Sequence, residues 1–115
     1  MVQNKNKLID HLAGNLATAV VHKVLEQAAS DEHLKQYYAG EVSNSLERAK
    51  GYRERINPVG EPLPGKDADE IRERVIRGAA AELKLRIARG YRDVNLEMTN
   101  EVAEKILAGL KIINS

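Results

Sequence analysis

A chain of 115 residues, 43% hydrophobic and 30% charged, has the balance of one folded domain and buries roughly 65% of the surface it exposes when unfolded. Its 18 basic and 17 acidic side chains leave a net charge of +1, so no whole-molecule field steers it toward polyanions. The absence of cysteine excludes disulfides, thiolate catalysis, zinc–thiolate sites and cysteine-ligated clusters. There is no Trp or Phe and there are only four Tyr. The core is therefore built from Leu, Ile, Val and Ala, which suits helix-on-helix packing.

The first helix spans about residues 5–29. Leu8, Ile9, Leu12, Leu16, Val20, Val24 and Leu25 lie among apolar positions that cover well over half its circumference. One polar line remains, made by His11, Asn15, Thr18, His22 and Glu26. A helix packed on one side of a bundle needs an apolar arc of about 100° or somewhat more. This helix therefore lies at the centre or is covered by a second chain, and Leu12, Leu16, Val20 and Val24 are the expected self-interface. The apolar stretch is broken by Asn15, His22 and Lys23, too short and too wet to cross a bilayer. No signal-peptide pattern precedes it, and the cytoplasm is the expected location.

The second helix spans about 31–56, with Leu34, Tyr38, Val42, Leu46, Ala49, Tyr52 and Ile56 on one stripe. Ser30 is the expected N-cap and Asn57-Pro58 the stop, with Gly51 inside the helix. All three prolines fall between Asn57 and Gly65, which predicts an ordered crossover between the second and third helices. Asp67-Ala68-Asp69-Glu70 has capping-box spacing and is expected to open the third helix. Its ladder is Ile71, Val75, Ala79, Leu83 and Ile87, and it can continue through Tyr91 to Val94. Residues 94–98 alternate apolar and polar, so a short strand is conceivable there, although it has no evident partner. The last helix, about 99–113, is amphipathic through Val102, Ile106, Leu107, Leu110 and Ile113. The whole reads as an all-α, single-domain bundle over residues 1–115, with four main helices.

A short repeat matches Ala49-Lys50-Gly51-Tyr52-Arg53-Glu54 with Ala88-Arg89-Gly90-Tyr91-Arg92-Asp93. Tyr-Arg tips can stack a planar group or hold a phosphate through the guanidinium fork. The plainer reading is two basic last turns that complement the helix dipole, each with a half-buried Tyr. Tyr52, Arg53, Arg55, Arg89, Tyr91 and Arg92 are the candidate binding residues. Glu70–Arg74, Glu73–Arg77 and Glu82–Arg86 have the spacing of ordinary solvated pairs. His11, His22 and His33 are eleven apart, and on one helix that step rises roughly 16 Å, too far to share an ion.

The Glu-x-x-His pairs of di-metal bundles and the Gly-rich loops of phosphate sites do not occur in this sequence. Met98 to Lys105 resembles the first half of a helix-turn-helix, but the 10 residues that follow are too few for a recognition helix. The expected function is non-catalytic, with no metal and no cofactor: an adaptor or assembly subunit acting as a homo-oligomer, a dimer in the simplest case, or bound to another protein. The alternative is nucleic-acid or polyanion binding through the repeated Gly-Tyr-Arg helix ends.

Overall fold

A computed structural model describes residues 5–57 and 63–113. It contains α1 (Lys5–Ala28), α2 (Glu32–Ile56), α3 (Gly65–Ala88) and α4 (Met98–Gly109), an all-α four-helix bundle with no strand among the described residues. The wide apolar girth of α1 has a direct consequence: α1 sits in the middle and packs on all three other helices. Ten of its 24 residues are buried, against four of 25 in α2. The more polar α2 packs on α1 alone, whereas α3 packs on both α1 and α4.

Side-chain pairs fix the directions. Tyr52 stacks on His11 and Tyr38 on His22, so α2 runs antiparallel to α1. Arg74 pairs with Asp10, and Gly78 faces Ala17, so α3 runs parallel to α1. Arg72 pairs with Glu104 between α3 and α4. This placement corrects the expected self-interface. Leu12, Leu16 and Val20 have no exposed area and Val24 has 1%, because the chain's own helices cover them.

The helix ends follow local chemistry. Asp31, one residue after the expected Ser30, caps α2 by accepting from the His33 N–H at 3.0 Å. The expected capping box does not form. Helix α3 starts earlier, after Pro64, whose extended backbone (φ −51°, ψ 143°) leads straight into the first turn. Asp67 lies within that turn and pairs with Lys5 at 2.6 Å. The other two prolines of the crossover lie outside the described residues.

Nor does α3 run on to Val94. Gly90 takes a positive φ of 101°, its N–H bonds to the Ile87 carbonyl, and the Tyr91 N–H bonds to the Arg86 carbonyl. This is a Schellman termination, in which a left-handed residue lets two N–H groups turn back on the last carbonyls. Helix α4 ends the same way with Lys111 (φ 57°) in the left-handed position. The Ile112 N–H bonds to Leu107 O at 2.9 Å, and Ile112 drops into the core. The alternating residues 94–98 form a turn rather than a strand: Asn95 Oδ1 accepts from the Glu97 N–H at 3.0 Å. The alternation lays Val94, Leu96 and Met98 against the core.

Candidate functional site

The two Gly-Tyr-Arg copies differ in structure and lie apart. Gly51 is inside α2, whereas Gly90 terminates α3. Tyr52 packs on His11 near the start of α1, with ring centres 5.0 Å apart, whereas Tyr91 shares a cleft with Leu25 and Ala28 near the end of α1. From His11 to Leu25 the axis of α1 rises about 21 Å. The six candidate binding residues therefore do not form one surface.

Arg53 departs furthest from expectation. Only 4% of it is exposed. Its Nε donates to Leu110 O at 3.2 Å, its Nη2 to Lys111 O at 3.2 Å and its Nη1 to Asn57 O at 3.3 Å. Those carbonyls belong to the ends of α4 and α2, which the helices themselves leave unsatisfied. The guanidinium serves as an internal cap rather than as a ligand-binding tip. Arg55 lies over the Tyr52 ring at 5.5 Å, and Arg89 is the exposed C-cap of α3.

At the other end, the Tyr91 copy joins a larger feature. A cleft of about 400 Å³ opens between the α1–α2 turn and the end of α3, lined by Leu25, Ala28, Leu34, Tyr38, Tyr91 and Arg92. Of the exposed large hydrophobics of the described chain, Leu34 and Tyr91 line this cleft, and Tyr37, Leu85 and Ile87 stand on the same ends of α2 and α3. They come from the first two turns of α2, the last turn of α3 and its cap. Other large apolar side chains among the described residues are buried or half-buried.

One wall of the cleft is a polar clasp. Arg86 Nη1 donates to the Tyr91 hydroxyl at 3.2 Å and its Nε to Glu82 at 2.7 Å. Its guanidinium also lies over the Tyr91 ring at 5.3 Å. Burial pushes the ionisation of Tyr38 above the usual range. Tyr37 meets the Tyr38 ring edge-on at 5.6 Å. Beneath, His22 stacks on Tyr38 at 5.8 Å. Burial, and secondarily Arg86, lower the His22 pKa, whereas Glu41, the Thr18 carbonyl and Glu82 act in the opposite sense.

The sequence pointed to Tyr91 and Arg92 but not to Tyr38, His22 or Arg86 as members of one cluster. A usable signal was present: histidines on one line of α1 and tyrosines on one line of α2 pair when the helices run antiparallel. Among the described residues, no group of three or more His, Asp or Glu could hold a metal ion, and no helix is long and apolar enough to cross a membrane. No family model, curated protein or solved structure matches the chain.

Proposed function

We propose that the protein is a non-catalytic interaction subunit that self-associates through the apolar end of the bundle. The observation that supports this reading is the confinement of Leu34, Tyr37, Leu85, Ile87 and Tyr91 to that end. Single exposed apolar side chains are normal, whereas a group at one place marks a contact surface. Tyr and Arg are also the residue types enriched at such contacts. A net charge of +1 opposes the approach of a second copy only weakly.

Light scattering over a tenfold concentration range tests the proposal. The expected result is twice the chain mass for the wild type and the chain mass for Leu34→Glu/Tyr37→Glu. Both residues are exposed, so the double variant should keep its fold. A wild type that stays at the chain mass throughout would overturn self-association.

A further inference from the structure

Arg92 and Asp93 line the apolar cleft together with Leu34 and Tyr91, and among the described residues neither makes a side-chain hydrogen bond or an ion pair. By contrast, Arg72, Arg74, Arg77 and Arg86 are each held by a carboxylate. The two open charges stand on an anchored piece of chain. Before them the Tyr91 N–H bonds to the Arg86 carbonyl, and after them Val94 packs on the core. Gly90 and Asp93 both take positive φ, 101° and 63°, a conformation that Asp adopts more readily than most side chains. The segment is therefore set before any partner arrives, which lowers the ordering cost of a contact made there.

We propose that Arg92 and Asp93 set the register of a two-fold contact between two copies of the chain, Arg92 of each copy pairing with Asp93 of the other. The inference rests on the self-association proposed above and names what aligns it. A two-fold contact lays one patch against itself, so that residue i meets j and j meets i. A surface with one charge of each sign at adjacent positions, their Cα atoms about 3.8 Å apart, matches its own copy when the axis passes beside that peptide. Other occupants fit less well. An anion drawn to Arg92 meets the Asp93 carboxylate, and a cation drawn to Asp93 meets the guanidinium. Leu34 and Tyr91, 41% and 40% exposed, belong to the same cleft lining, so closing the contact covers apolar surface around the two pairs. In those drier surroundings opposite charges attract more strongly than in open water, and like charges are penalised more.

Analytical ultracentrifugation of the full chain, giving the dimer dissociation constant of the wild type and three variants, tests the pairing. Arg92→Glu surrounds the axis with carboxylates alone and should weaken the dimer about tenfold or more. Lys84→Glu makes the same change in net charge at another exposed residue of α3, and should alter the constant by no more than a factor of about two. Arg92→Glu/Asp93→Arg keeps the original net charge and restores both pairs with their signs exchanged. It should return to within about threefold of the wild type. Equal weakening by Arg92→Glu and Lys84→Glu, or a double variant no tighter than Arg92→Glu, would overturn the pairing while leaving self-association standing. A wild type that stays at the chain mass throughout would overturn both. Should Asp93→Arg fail to fold because of its left-handed backbone, Arg92→Glu/Asp93→Asn supplies the second measurement, since Asn suits that conformation. Removing the like-charge contact should regain part of the lost affinity, and no gain over Arg92→Glu would count against the pairing.

Discussion

Gly51 and Gly90 occupy the same place in a repeated hexapeptide and have opposite structural roles. Gly51 is helical, and a methyl group added there meets nothing within 4 Å. Gly51→Ala should therefore stabilise the fold by up to about 1 kcal/mol. Gly90 holds φ at 101°, so Gly90→Ala should destabilise it by about 1–2 kcal/mol. Urea unfolding of the two variants checks both signs. Periodicity cannot separate the two glycines, because the apolar phase continues past each. Arg53 was equally hidden. Its partners Leu110 and Lys111 lie more than fifty residues away, and only packing brings them together. Arg53→Ala should cost about 1–3 kcal/mol, since it leaves three part-buried carbonyls without their donor, and Arg53→Lys should recover part of that loss in the same assay.

At the scale of the elements, α1 is enclosed and α2 is not. A helix attached along one face opens at lower free energy than one enclosed by three neighbours. Hydrogen exchange should therefore be slowest in α1, at Leu12 to Val24, and distinctly faster along the middle of α2. Equal protection in the two helices would contradict the arrangement. The helices themselves were plain in the sequence: α1 and α2 stand within about a residue of expectation, because long apolar stripes and a proline stop define them. The ends of α3 and α4 were not, because each is set by a Schellman turn, at Gly90 and Lys111, that depends on a single φ value rather than on hydrophobic phase. The alternation at residues 94–98 was real but belonged to a turn lying on the core.

For the molecule as a whole, the sequence offered two homes for the broad apolar surface of α1, the centre of the bundle or a contact with a second chain. The structure takes the centre, and the exposed apolar side chains lie elsewhere. Leu34 and Ile87 were in phase with core stripes yet are exposed. The phase of a stripe gives the side of a helix a residue occupies, not whether a neighbour reaches that turn. For this reason the candidate surface was only partly legible, through Tyr91 and Arg92.

The central position of α1 also orders the events of synthesis. It precedes the other three helices in the chain, and each of them needs it as a packing partner. An emerging chain can pair α2 back onto α1 across a three-residue connection before α3 and α4 exist. The first half can thus form a template early, leaving the second half to add to a surface already in place. Until that addition, the broad apolar flank of α1 is uncovered, and at this stage, rather than in the finished protein, a second copy could seize Leu12, Leu16, Val20 and Val24.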